Sequence, residues 1–147
     1  MQFFGQEKPP LGIVFDTGMT RIDDALGRYV EFAKQSFPRG RTLENMRIAV
    51  DAANGAAYKS SPCVLRELGA EVIVFNNQPD GKNINEDCGS MHPESMCRKV
   101  VGHAAAIGIA HDGDADRVLL CDERGNLIDG DDKIEIAAFA EDDFIAE

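Results

Sequence analysis

The sequence predicts an α/β domain, a three-layer, Rossmann-like fold around a mostly parallel sheet. Three observations carry that reading. First, the apolar runs RIAVDAA (47–53), EVIVF (71–75) and AIGIA (106–110) are of strand length and carry few polar residues, as strands covered on both faces do. Second, stretches with helical spacing separate them, each long enough to cross a sheet face. Third, the connections are short, so β-α-β order implies parallel neighbours joined by right-handed crossovers. A chain of 147 residues with 44% hydrophobic and 28% charged residues is of one-domain size and can bury a core without disulfides or structural metals.

Residues 1–20 read as a flank or linker, because Pro9 and Pro10 interrupt any regular element and only LGIVF could extend. The domain proper is expected over 21–147. Residues 22–37 predict a helix whose apolar face is Ile22, Leu26, Tyr29, Val30, Ala33 and Phe37. Asp23 and Asp24 complement its first turn, Lys34 its last, and Pro38 stops it. After strand 47–53, Asn54-Gly55 could close a hairpin. The following AAYKSSPCVLRELGA does not alternate, so the dipeptide instead turns a strand into a helix that runs through Leu68 and stops at Gly69. The strand EVIVF and the loop NNQPDGKNINEDCGSMHP come next. Pro93 opens a helix to about Gly102 or Ala104, and AIGIA is a third strand, small enough to be buried on both faces. RVLLCDERGNLID predicts two strands around Glu123-Arg124-Gly125-Asn126, and the last segment, from Asp131, a helix with Ile134, Ala137, Ala138 and Phe144 as its apolar side.

Charge narrows the function classes. The net charge is −11, and residues 112–147 hold 13 of the 26 acidic residues but only 3 of the 15 basic ones. Nucleic acids and anionic membranes need basic patches, so neither is an expected partner. No apolar run approaches the ~20 residues of a membrane span. Cys63, Cys88, Cys97 and Cys121 form no C-x-x-C pair, and MQFFGQEKPP lacks the basic-then-apolar order of a secretory leader. Reduced thiols in the cytoplasm are the expectation.

The concentrated negative charge begins with HDGDADR, residues 111–117. Asp112, Asp114 and Asp116 alternate with the small residues Gly113 and Ala115, so one tight loop can turn all three carboxylates inward. Three hard oxygen donors suit Mg²⁺, Mn²⁺ or Ca²⁺. A cation held this way keeps open positions for a phosphate oxygen, and the planar fork of Arg117 suits the same ligand, which points to phosphoryl transfer. The loop is also expected at the carboxyl end of a parallel strand, where open α/β sheets bind ligands. A merely solvated acidic turn is the plain alternative. A calcium-binding EF-hand is a further one, since Asp112, Asp114, Asp116 and Glu123 fall at its positions 1, 3, 5 and 12. Against it, Arg117 stands where that loop needs glycine, and apolar strand-like runs flank and enter the segment. Cys88, His92 and Cys97 do not have zinc-site spacing. His103 reads as a surface residue. His111 adjoins the cluster, where an orienting role and a structural one both stay open.

At HDGDADR the sequence resembles the α-D-phosphohexomutase superfamily, whose second domain carries an Asp-x-Asp-x-Asp-Arg loop. IDDALGRYVEFAKQSFP, RIAVDAANGAAY, LRELGAEVIVFNNQPDG, NINEDCGSMHPE and IGIAHDGDADRVLLCDERGNLIDGD agree with it in order and spacing, and within it with the bacterial phosphoglucosamine mutase branch. The resemblance covers most of residues 21–132. It implies that Asp112, Asp114 and Asp116 hold Mg²⁺ and that Arg117 supports catalysis beside a phosphorylated serine. It implies a phosphosugar substrate, with glucosamine 6-phosphate and glucosamine 1-phosphate interconverted through a sugar bisphosphate, as a step toward cell-wall precursors. A phosphomannomutase or phosphoglucomutase is the alternative within the superfamily, and a calcium-binding module the alternative outside it. The superfamily's S-A-S-H-N-P, G-E-x-S-G-H and R-x-S-G-T-E motifs are not in this sequence. The resemblance therefore implies the second of four domains, inactive by itself, and leaves the oligomeric state open.

Overall fold

The computed structural model describes residues 24–128. The flank over 1–20, the start of the first helix at Ile22 and Asp23, and the helix predicted for the last segment lie outside the described residues. Within them the chain runs α1 (Ala25–Lys34), β1 (Arg47–Asp51), a 3₁₀ turn (Ala56–Tyr58), α2 (Ser60–Glu67), β2 (Glu71–Phe75), a second 3₁₀ turn (Gly89–Met91), α3 (Pro93–Gly102), β3 (Ile107–His111), β4 (Val118–Asp122) and β5 (Leu127–Ile128).

The strands form one sheet in the order β2-β1-β3-β4-β5. β1 is parallel to β2 and to β3, whereas β3–β4 and β4–β5 are antiparallel. The fold class is the predicted α/β one, with a mixed sheet whose parallel part is β2-β1-β3. The antiparallel edge arises because only the short 112–117 loop and a tight turn join β3, β4 and β5, and neither is long enough for a crossover.

Alternate residues of β1 serve the two faces of the sheet. Ala49 packs with Met96, Cys97 and Val100 of α3 and with Ala110 and Cys121. Ile48 and Val50 pack on the other face with Leu65 of α2, Val72, Ile107 and Ile109. Burying each larger side chain here contributes about 1.5–3 kcal/mol. α1 lies on the α2 side, tied there by Lys34 Nζ to Glu67 Oε2 at 2.7 Å. Three layers result, with α2 and α1 on one face and α3 on the other.

Several boundaries and faces differ from the sequence reading. β1 stops at Asp51 because Ala53 and Asn54 take left-handed φ of 53° and 49°, which no strand accommodates. The helix after it is split by Lys59 into a 3₁₀ turn and α2, which closes as predicted at Gly69, with φ 104° and Ala70 N–H donating to Leu65 O at 3.0 Å. β3 is covered less completely than expected: Gly108 and Ala110 are buried against α3, while Ile107 and Ile109 are half-buried. On α1 only Val30 is buried, and Leu26 and Tyr29 of the predicted apolar face are exposed, because α2 covers a single stripe of the helix.

Candidate metal centre

β1 and β3 lie side by side, with Asp51 opposite Ala110. The crossover from β1 to β2 runs through α2 on one face, and the return from β2 to β3 runs through α3 on the other. The gap between the carboxyl ends of β1 and β3 is therefore the topological switch point, where the loops that follow the two strands diverge and leave a crevice. The chain places the 112–117 loop there, directly after His111, the last residue of β3.

Asp112, Asp114 and Asp116 each bring a carboxylate oxygen into a cluster whose atoms all lie within 4.8 Å of one another. Among the described residues no other set of three His, Cys, Asp or Glu side chains does so. Ala115 takes φ 63°, and its N–H donates to Asp112 O at 3.2 Å, which tightens the loop and brings the alternate side chains together. Asp112 is buried, while Asp114 and Asp116 are exposed. Arg117 holds Asp112 twice, its backbone N–H donating to Oδ1 at 3.1 Å and its Nε–H to Oδ2 at 2.9 Å. The guanidinium is also 3.5 Å from Asp116 Oδ1 and remains 65% exposed, so most of its fork faces solvent.

The crowding of charge reads out in the acidities. Burial pushes the Asp112 carboxyl up, but the Arg117 N–H, the Asp116 carboxyl and the Arg117 guanidinium more than offset it and hold it down to about 2. Asp116 is pushed up, by its hydrogen bond with Asp112 and by repulsion from Asp114 and Asp112. Asp112 raises Arg117 above its usual value. Such a set could hold a divalent cation, whose charge would offset the repulsion among the three carboxylates. The donors are all hard oxygens, which fits Mg²⁺.

The other candidate residues fall into place around this loop. His111 Nε2 is 2.9 Å from Ser61 Oγ in the wall of a groove of about 460 Å³ that Tyr29, Ile109 and Asp114 also line. Burial lowers its pKa, with Asp112 and Asp51 pulling the other way. The His103 ring packs against Phe75 at 5.5 Å, away from the site. Cys88 and Cys97 are buried, His92 caps α3, and all four cysteines are free. The EF-hand alternative fails, because β4 occupies 118–122 and the loop lies between two strands instead of two helices.

The sequence reading missed the residues that hold the loop from behind. Asp51 is fully buried, and its Oδ1 accepts the Ala53 N–H at 2.9 Å. Ala56 N–H donates to Gly113 O at 2.8 Å. Gly89 lies so close that a Cβ there would sit 2.5 Å from His111 O and 2.6 Å from Ala53 Cβ. A charged residue inside the apolar run 47–53 was the one available signal, at Asp51.

Comparison with known proteins supplies the family and the fold. Residues 27–125 match the family model described as phosphoglucomutase/phosphomannomutase, alpha/beta/alpha domain II. The phosphoglucosamine mutase of Gluconacetobacter diazotrophicus is 61% identical over 119 residues, covering 81% of this chain and 26% of that protein. That of Paramagnetospirillum magneticum is 63% identical over 111 residues, covering 76% and 25%. The crystal structure of a phosphoglucomutase/phosphomannomutase family protein from Burkholderia thailandensis superposes with a TM-score of 0.65 at 28% identity, over 77% of this chain and 25% of that one. The chain thus spans about a quarter of the length of the curated relatives it matches.

Proposed function

Since the chain belongs to the phosphoglucomutase/phosphomannomutase family, as its α/β/α domain II, we propose that it is the Mg²⁺-binding domain of a phosphoglucosamine mutase that interconverts glucosamine 6-phosphate and glucosamine 1-phosphate. The single observation that carries the metal role is the meeting of Asp112, Asp114 and Asp116 within 4.8 Å at the switch point of the sheet. The choice of sugar rests on the identity of about 60% to proteins named for glucosamine. The domain runs over 21–147, with 1–20 as its flank, and works in the cytoplasm.

In this reading the three aspartates would hold the cation, which when bound would supply neutralisation of charge on a phosphoryl group. Arg117 has two tasks. Its Nε–H and backbone N–H keep Asp112 ionised and aimed into the loop. Its exposed donors meet the phosphoryl oxygens, for which a planar fork is well shaped. The transfer itself passes through a phosphoserine and a sugar bisphosphate, and the serine belongs to the longer protein. The sequence holds no S-A-S-H-N-P motif, so the 147 residues alone should not turn over.

A coupled assay on the longer protein tests this. Glucosamine 6-phosphate should be converted, and Asp114→Asn should cut the rate at least about tenfold, since cation ligands and their supporting groups commonly count for that much. Normal turnover by the 147-residue chain alone would refute the fragment reading. A clear preference for mannose or glucose phosphates would replace the sugar and leave the metal role standing.

A further inference from the structure

The turn that follows β1 touches the metal loop without contributing a ligand to it. Its backbone is unusual. Ala53 and Asn54 are consecutive left-handed residues without being glycine, a conformation that costs Ala53 on the order of 1–2 kcal/mol and asparagine less. Four bonds hold it there: Ala53 N–H to Asp51 Oδ1 at 2.9 Å, Asn54 N–H to Asn76 O at 2.6 Å, Gly55 N–H to Ala52 O at 2.8 Å, and Gln78 N–H to Asn54 Oδ1 at 3.1 Å. Strain kept by this many partners marks a turn whose shape matters.

The shape ends in a contact between two backbones. A Cβ on Gly55 would collide with Gly113 O and lie 2.7 Å from Gly113 Cα. The next residue, Ala56, donates its N–H to the same carbonyl at 2.8 Å. From the opposite side Gly113 is closed in, since a Cβ there would lie 2.7 Å from Ile84 Cδ1 and 2.8 Å from Asn85 Nδ2. Gly113 is the spacer between Asp112 and Asp114. We propose that Gly55, through this contact, is a positioning residue of the cation centre: the turn seats the Gly113 peptide and so sets the separation of the Asp112 and Asp114 carboxylates, which it does not touch. The inference rests on the metal role proposed above.

The test is a titration of the 147-residue chain with Mn²⁺, a hard-oxygen stand-in for Mg²⁺, read by the spectrum of free Mn²⁺ and paired with thermal melting without metal. Three variants are compared. Gly55→Ala adds the colliding Cβ. Ala56→Pro deletes the donated N–H at the first position of a 3₁₀ turn, after an extended Gly55 (φ −110°, ψ −160°), a backbone that accepts proline, and sets the ring Cδ against Gly113 O. Met96→Ala weakens the core on the α3 face of the sheet, against Gly108. Gly55→Ala and Ala56→Pro should each weaken Mn²⁺ binding at least tenfold, whereas Met96→Ala should lower the melting temperature and leave affinity within twofold. If Gly55→Ala does not fold, exposed Ala56→Pro decides. Full affinity in the folded turn variants, or a loss in Met96→Ala as large as theirs, would overturn the positioning role and leave the metal role intact. No Mn²⁺ bound by the unaltered chain, or equal binding by Asp114→Asn, would overturn the metal role and this inference with it.

Discussion

Gly89→Ala separates a backbone penalty from a packing one. Gly89 has φ 69°, and its missing Cβ would meet the carbonyl oxygen of His111 at 2.5 Å and Ala53 Cβ at 2.6 Å. Neither neighbour yields easily, because His111 is paired with Val118 in the sheet and Ala53 is pinned by Asp51. Gly81 is the natural control, with φ 88° and nothing within 4 Å of its Cβ position. Both substitutions force alanine into the left-handed region at about 1–2 kcal/mol. Both also stiffen the unfolded chain, which offsets about 0.5–1 kcal/mol. The net cost at Gly81 is therefore about 0–1.5 kcal/mol. Gly89 adds overpacking, about 1–3 kcal/mol, for a total of about 1–4.5 kcal/mol. Urea unfolding of both variants beside the unaltered chain measures the difference, with the slope checked for a common unfolded state. A Gly89→Ala cost within about 0.5 kcal/mol of the Gly81→Ala cost would refute the close approach, since the φ penalty alone would then account for both.

Other perturbations reach the same site. The Asp112 carboxyl is held down to about 2 in the folded chain and returns to the ordinary 3.8 on unfolding. Its stabilisation is thus present above pH 4 and lost as the pH falls through about 2; a melting-temperature profile should steepen there, and Asp112→Asn should flatten it. Asp114→Asn removes one repelling charge from an exposed position, so the metal-free melting temperature should hold or rise while Mn²⁺ affinity falls at least about tenfold. Ala115→Gly relieves φ 63°, about 1–2 kcal/mol against an entropic cost of about 0.5–1 kcal/mol, so urea unfolding should find it more stable by up to about 1 kcal/mol. Met96→Ala, at a fully buried position against Gly108 and Val100, should cost about 2–5 kcal/mol in the same assay.

Much of the architecture was legible because local chemistry and tertiary structure agree. EVIVF is β2 to the residue, and Pro93 opens α3 where a proline without an N–H is harmless. The turn Glu123–Asn126 separates β4 from β5, with Asp122 Oδ1 accepting the N–H groups of Arg124 and Asn126. The aspartate loop was legible because alternation with small residues is a local pattern. The misreadings come from bonds, neighbours and loop lengths that the pattern of residue types does not display. Nothing in the sequence of Ala53 announces a left-handed φ, since the bond enforcing it comes from Asp51 and the reward for it lies at Gly113. The apolar face of α1 was read as wider than it is because periodicity reports what a helix can bury, while the neighbouring surface decides what it does bury. The antiparallel edge depends on loop length as much as on strand composition.

The aspartate loop is thus set by two kinds of constraint that act at different ranges. Local constraint supplies the ligands and the turn at Ala115. Distant constraint comes from the turn after β1 and from Gly89 and Ile84 in the long connection after β2, which together enclose the backbone of His111–Gly113. All of these segments lie within one domain and flank one switch point. Asp112 and Asp114 are therefore arranged before any other part of a longer protein is present, and cation binding should cost this chain little reorganisation. Under the proposed function, the remaining three quarters of such a protein would add the nucleophile, the sugar contacts and further ligation of the ion. Affinity should then rise in the longer protein while the ordering of sites and the response to Gly55→Ala stay the same; a Gly55→Ala effect present in the 147-residue chain and absent from the longer protein would show instead that outside contacts, and not the β1 turn, set the loop in the working enzyme.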